Sequence, residues 1–336
     1  MAARPSAKAA AWPLFDAIVA RATLREVNPW QPDGGFAPDY PTLARLLAVP
    51  LRLGAESRSG VPALAVDVWV AHELRRAGLD PDAVWPRAEP PRVVDRDVLA
   101  FIRAIPKGMG RDELLARLRD GSGGVGTASA SIAGKNYLKQ VDVIVSSWQT
   151  GPELLISTKR MDSSFGKNAA NRVEESYGDA KNLALRHPLA ALGFVYALRS
   201  TAYTEERRQF DWITDLLVKL GREDDAYDAC ALIVPEWDDD APEATAVPEV
   251  PQAPDAEPDG WGSGGLFDLP EIEDVHAAHA VDVDAELAAL PVVTLRHDLV
   301  PAELDPARFF RRMLEIMLDN SSVLQHEAAR ARRAAH

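Results

Sequence analysis

The sequence predicts an α/β protein: a mixed sheet flanked by helices, with a mainly helical region before it and an acidic linker and helical segment after it. Three observations predict this. Over residues 111–236, short β-branched and apolar runs alternate with helical patterns in the order helix, strand, strand, helix, strand, helix, strand. The first two strands are joined by a tight turn and the later ones need crossovers, so antiparallel and parallel pairing mix. Charge is also segregated: residues 1–130 carry 17 basic and 15 acidic side chains, 131–222 carry 13 and 10, and 223–336 carry 7 and 26.

The elements follow in order. Residues 1–110 read as mainly helical with Pro-rich breaks. Val61 to Leu79 has a helical stripe of Leu64, Val68, Ala71 and Leu74 that stops at Gly78. Pro86, Pro90 and Pro91 mark a loop, and Arg111 to Arg119 is a short helix. Gly121 to Gly126 spells GxGxxG, but it follows a helix, lacks a Gly-Lys-Ser/Thr, and reads as a loop. Val141 to Ser147 is a strand, Gln149 to Pro152 a turn, and Leu154 to Met161 a second strand. Asn168 to Arg186 is a helix with the stripe Val173, Tyr177, Ala180 and Ala184. Leu189 to Leu198 is continuous and apolar, as a strand buried on both faces should be. Thr204 to Leu220 is amphipathic around Phe210, Ile213 and Leu217, and Ala226 to Val234 is the last strand.

Residues 237–265 form an acidic, Pro-rich stretch that cannot bury enough apolar surface to offset ordering entropy, which predicts a flexible linker. In residues 266–336, Asp305-Pro306 marks a helix start, followed by Phe309, Met313, Ile316 and Met317 at helical spacing. That helix is expected to dock on the body or on another subunit. The acidity behind the formal net charge of −14 therefore belongs to the last third, and with the remainder mildly basic the overall charge does not exclude a nucleic-acid partner. One cysteine, Cys230, excludes an internal disulfide framework and a Cys-based zinc site, and fits a reducing cytosol. No run approaches the ~20 apolar residues of a membrane span, and the N-terminus has no signal-peptide pattern. Heavy use of Ala, Arg, Asp and Pro suggests a bacterial source, so a cytoplasmic location is expected.

Chemistry concentrates in the hairpin. With Gln149 to Pro152 as its loop, Asp142 faces Lys159 and Ile144 faces Ser157. Directly opposed residues share a face, and Ser157 and Lys159 share one by alternation, so a carboxylate, an ammonium and a hydroxyl come together. Around them, Lys135, Lys139, Arg160, Ser163, Ser164, Lys167 and Asn168 supply cations, hydroxyls and an amide suited to phosphate oxygens. The next helix carries Glu174 and Glu175.

In these residues the chain resembles the PD-(D/E)XK nuclease superfamily, the restriction-endonuclease-like fold. That family's core is a helix, a β-meander, then helix, strand, helix, strand, and the resemblance covers about 111–236. Asp142 matches the first acid of the motif and Lys159 its lysine. Ser157 departs from the intervening acid, and Val141 stands where the family often has Pro. Ser157-Thr158-Lys159 followed by Glu174 and Glu175 resembles the variant in which a Glu from the following helix replaces that acid. Glu174 borders the apolar stripe and is favoured over Glu175. Glu153, six residues before Lys159 and ~20 Å away along a strand, is a rival acid better suited to capping the turn. Glu73, on the N-terminal helix, is another outer acid, with a surface charge as its plainer reading.

The resemblance implies a DNA endonuclease of restriction or phage-defence type, cutting to a 5′-phosphate and a 3′-hydroxyl. Mg²⁺, with Mn²⁺ as a substitute, would sit on Asp142 with Glu174 or Glu175, and Lys159 would orient the attacking water. Ser157 would hydrogen-bond a metal-bound water. Residues 1–110 would recognise DNA or dimerise, and the C-terminal region would regulate or bind a protein partner. Cutting both strands implies a homodimer or larger assembly. Two rivals stand beside this: a nuclease-fold subunit that binds DNA without cutting, and a repair or junction nuclease. The histidines build no competing site; His276 and His279 read as solvated, and Trp148, Trp212 and Trp237 as core or interface.

Overall fold

The computed structural model describes residues 6–25, 27–119, 130–163, 165–223, 226–238 and 282–335, without the side chains of 119 and 167–174. The Gly-rich stretch 121–126, the linker beyond Asp238, His276 and His279 lie outside the described residues.

The chain runs α1 (Ala7–Thr23), α2 (Tyr40–Arg52), α3 (Val61–Arg76), β1 (Val84–Trp85), α4 (Arg96–Ala104), α5 (Arg111–Arg119), β2 (Ala130–Ala133), β3 (Leu138–Val141), β4 (Val143–Ser147) and β5 (Gly151–Met161). It continues through α6 (Phe165–Ala184), β6 (Ala191–Leu198), α7 (Thr201–Glu205), α8 (Arg207–Leu220), β7 (Ala229–Ile233), β8 (Pro235–Glu236), α9 (Val283–Ala288), β9 (Thr294–Leu295), α10 (Pro306–Asn320) and α11 (Glu327–Ala334). Several starts are set by caps. Ser6 accepts from the Ala9 amide, Asp39 from Thr42, and Asp95 from Asp97 and Val98. Asp305 accepts from the Ala307 amide with Pro306 in the first turn, as its sequence predicts.

The main sheet has the order β1-β4-β5-β6-β7. β1, β4 and β5 pair antiparallel; β5, β6 and β7 pair parallel. This is the mixed, helix-flanked sheet the sequence predicts. Alternation splits its side chains between two cores. Val143, Val145, Leu154, Ile156, Val195 and Ile233 pack with α1, α2, α3 and α10. Ile144, Leu155, Leu192, Phe194, Tyr196 and Leu232 pack with α6 and α8. β6 is buried along its whole length, which is why it reads as unbroken apolar sequence. The predicted C-terminal helix docks on the body: Phe309 and Met313 of α10 reach the sheet over Gly193, where a Cβ would stand 2.8 Å from Phe309 Cζ.

Two expectations need correction. The strand expected over Val141 to Ser147 breaks at Asp142, because β3 leaves the main sheet to pair with β2. The hairpin register also differs: Ile144 faces Leu155, not Ser157, and Ser147 faces Gly151. Gly151 adopts φ +69°, so the turn is Trp148 to Thr150 and the second strand starts earlier than expected. Past it the ladder steps from Ser146↔Pro152 to Val145↔Leu154, leaving Glu153 as an extra residue. The net shift at Ile144 is two residues. An even shift keeps every strand side chain on its face, so Ser157 and Lys159 still share a side, while Asp142 stands outside the ladder and reaches the Thr158 amide.

Candidate active site

The site is built around the start of β4. The β2–β3 hairpin lies on α6, pinned by the buried Asn182. Its Oδ1 accepts from the amides of Asn136 (2.8 Å) and Tyr137 (3.4 Å), and its Nδ2 donates to the Tyr137 carbonyl (3.1 Å). His187 Nε2 meets the Ala133 carbonyl at 2.9 Å. Gly134 permits this approach, since a Cβ there would stand 2.1 Å from Asn182 Nδ2. β3 then delivers the chain to Asp142.

Asp142 is half-buried, and its Oδ2 accepts from the Thr158 amide at 2.8 Å. The β4–β5 ladder begins one residue later, at Val143↔Ile156, so the carboxylate occupies the place of a ladder carbonyl. No described residue hydrogen-bonds Asp142 Oδ1. Burial pushes the Asp142 pKa above the ordinary carboxylate range, against the pull of the Thr158 amide, Lys159 and Lys139; Asp179 adds to the rise.

Lys159 and Ser157 are half-buried and project, with Leu155, toward the α6 side. The Lys159 charge acts on both Asp142 and Asp67, yet no described carboxylate is in ion-pair contact with its ammonium. The Ser157 side chain acts electrostatically on the phenol of Tyr227, whose hydroxyl donates to the Ser176 carbonyl at 3.0 Å. Tyr227 is buried, and its pKa is pushed upward.

The remaining predicted residues fall as follows. Glu174 lies in α6, and its side chain is outside the described residues; Glu175 is exposed. Glu153 is not at the site. It accepts from Thr150 at the turn, which is the capping role its position suggests, and from Ser321 and His326. Burial raises its pKa, but these hydrogen bonds outweigh that and leave it lowered. Glu73 is no surface charge: it is fully buried, paired with Arg76, and accepts from the Asp39 amide at 2.7 Å. Burial lifts its pKa to about 7. Its helix is enclosed on nearly every side, which a one-sided amphipathic pattern does not anticipate.

Of the expected phosphate contacts, Lys135 and Ser163 are exposed, and Lys139 is paired with Asp179 at 2.7 Å. Arg160 faces the α3 side instead, buried, bound to Asp162 at 2.9 Å and lying against the ring of Trp237. Ser164 and the side chains of Lys167 and Asn168 lie outside the described residues. Trp148, read as core or interface, stands at the hairpin tip with 84% of its surface exposed, so it is not part of the core of the described residues.

Four residues were not anticipated. Thr158 donates its amide to Asp142 and its hydroxyl to Asp67, which α3 buries to 6% exposure. Asp179 of α6 pairs with Lys139, accepts from the Tyr137 hydroxyl at 3.1 Å, and acts electrostatically on Asp142. Tyr227 feels the Ser157 side chain electrostatically. Only Asp67 left a trace in the sequence: a lone carboxylate within the apolar run Val66 to Val70. Among the described residues, Asp142 Oδ1 is a carboxylate oxygen of the site that no hydrogen bond engages. Among the described residues, no three or more His, Cys, Asp or Glu side chains form a group able to hold a metal ion. No described helix is long and apolar enough to cross a membrane.

No family model, curated protein or solved structure matches the chain.

Proposed function

We propose that the chain is a Mg²⁺-dependent DNA endonuclease of restriction or phage-defence type, with a PD-(D/E)XK-like site on the β4–β5 hairpin. The observation that carries the reading is the proximity, among the described residues, of an Asp142 oxygen without a hydrogen-bond partner to a Lys159 ammonium without an ion-pair partner. The order of elements around it supports the reading: α5, the β4–β5 hairpin, α6, β6, α8 and β7, with β5, β6 and β7 parallel.

The donor set fits a hard cation that keeps most of its waters. Asp142 Oδ1 would hold it, Ser157 would hydrogen-bond one of its waters, and Glu174 is the proposed second acid. When bound, the cation supplies charge neutralisation at the scissile phosphate. The protein's own part falls to Lys159: its ammonium donates to a nonbridging oxygen and orients the attacking water, where it stabilises charge that grows in the transition state. Cutting both strands takes two such sites, so the reading carries a homodimer or larger assembly.

A second reading, a DNA-binding or assembly subunit that does not cut, draws on the commitment of Asp142 Oδ2 to a backbone amide and on Ser157 at the position of an acid. Incubating the full-length protein with plasmid and phage DNA, modified and unmodified, in Mg²⁺ and in EDTA separates the two. Mg²⁺-dependent cutting that leaves 5′-phosphate ends is the expected result. Binding without cutting on every substrate selects the subunit reading.

A further inference from the structure

Asp67 sits in the middle of α3 between Val66 and Val68, with 6% of its surface exposed. A buried carboxyl is costly unless it is hydrogen-bonded or paired. No described Lys, Arg or His is in ion-pair contact with it; the partner it has is the Thr158 hydroxyl. Thr158 lies between Ser157 and Lys159, so alternation sends its side chain toward α3 and theirs toward α6. Its amide, in the same peptide segment, donates to Asp142 Oδ2. One threonine therefore ties three things together: α3 through its hydroxyl, Asp142 through its amide, and the two neighbouring site residues through the chain.

We propose that Asp67 is a positioning residue, which fixes the 157–159 segment of β5 through the Thr158 hydroxyl and so sets the placement of Lys159 relative to Asp142. The mechanical argument is direct. At this point β5 has lost its β4 partner, because the ladder stops at Val143↔Ile156. On that side the strand is held by the Asp142 carboxylate, and from the α3 side by Asp67. Burial, with the nearby Asp142 charge, raises the Asp67 pKa well above the ordinary carboxylate range. The catalytic consequence rests on the nuclease reading; the structural one does not.

The test uses Asp67→Asn, Asp67→Ala, Thr158→Val and Thr158→Ser in the full-length protein, with two readouts. The first is hydrogen exchange at the Thr158 amide. Asp67→Ala and Thr158→Val should accelerate it about tenfold or more, and Asp67→Asn and Thr158→Ser should restore it to within about threefold of wild type. The second is single-turnover cleavage. The first two variants should lose on the order of 100-fold in rate, the size of effect an ångström of misplacement produces, with DNA affinity within about twofold. The conservative pair should recover most of that rate. Thr158→Val, close to isosteric, keeps the test valid if Asp67→Ala fails to fold. Unchanged exchange and rate in folded Asp67→Ala or Thr158→Val would overturn the proposal, and so would Asp67→Asn as damaging as Asp67→Ala. Should wild type cut no DNA at all, the nuclease reading falls, and exchange at Thr158 alone still decides the positioning role.

Discussion

Replacing Gly134 by Ala should loosen the hairpin that carries the chain into Asp142, by a mechanism that can be isolated. The new Cβ would lie 2.1 Å from Asn182 Nδ2, 2.4 Å from Cγ and 2.6 Å from Oδ1. Nothing is wrong with the backbone for alanine, since Gly134 is not among the positive-φ glycines. The amide of Asn182 must therefore swing away, giving up its bonds to Asn136 and Tyr137. Each such bond contributes about 1 kcal/mol, and buried groups left unpaired cost more. Against this, Gly→Ala gains about 0.4–1 kcal/mol by restricting the unfolded chain. The net expectation is a loss of about 2 kcal/mol, or roughly 3 °C in Tm for a chain this size. The assay is urea and thermal denaturation of a double-mutant cycle with Asn182→Ala. Once Asn182 is truncated the clash is gone, so Gly134→Ala should cost nothing further. If the two single losses add to within about 0.5 kcal/mol in the double variant, the reasoning is refuted.

Other expectations follow from the same kind of accounting. Gly193→Ala should lower stability by about 1–3 kcal/mol by overpacking, because its Cβ would press on Phe309 and Met313, both almost fully buried; a Tm equal to or above wild type contradicts the docking of α10. Glu153 has a folded pKa below its ordinary 4.5, so it contributes stability that is present above pH 4.5 and lost as pH falls through the folded value; Glu153→Gln should flatten that acid limb in denaturation curves. Asp67 has the opposite sign. Its folded pKa is raised, so ionising it costs stability as pH climbs above 3.8, and Asp67→Asn should gain on wild type in urea midpoints from acid to alkaline pH.

How much of this was legible in the sequence differs by kind of information. Element type and order were legible because periodicity reports local burial: the unbroken run Ala191–Leu198 is the strand covered on both faces, and Asp305-Pro306 is the helix start it spells. The shared face of Ser157 and Lys159 was legible because face within a strand depends only on parity. Their register was not, since it turned on Gly151 taking a left-handed conformation and Glu153 becoming the extra residue, and both choices come from the turn and its tertiary contacts. The two-residue strand Val84–Trp85 has no pattern of its own; pairing with Val145 and Ile144 makes it a strand. Asp67 and Asp179 reach the site from 75 residues before and 37 residues after Asp142, distances across which no local spacing rule operates. Glu73 shows the converse, a helix so enclosed that its acid had to pair internally with Arg76.

The most direct test of the central claim is Mg²⁺-dependent cleavage by wild type beside Lys159→Ala and Asp142→Ala, each shown by circular dichroism to be folded. Wild type should cut, EDTA should abolish cutting, and each variant should lose about 100-fold or more in rate while still binding DNA, as expected when a transition-state contact is removed. A folded Lys159→Ala that cuts at the wild-type rate would contradict the account and return the Asp142–Thr158 contact to a purely structural role.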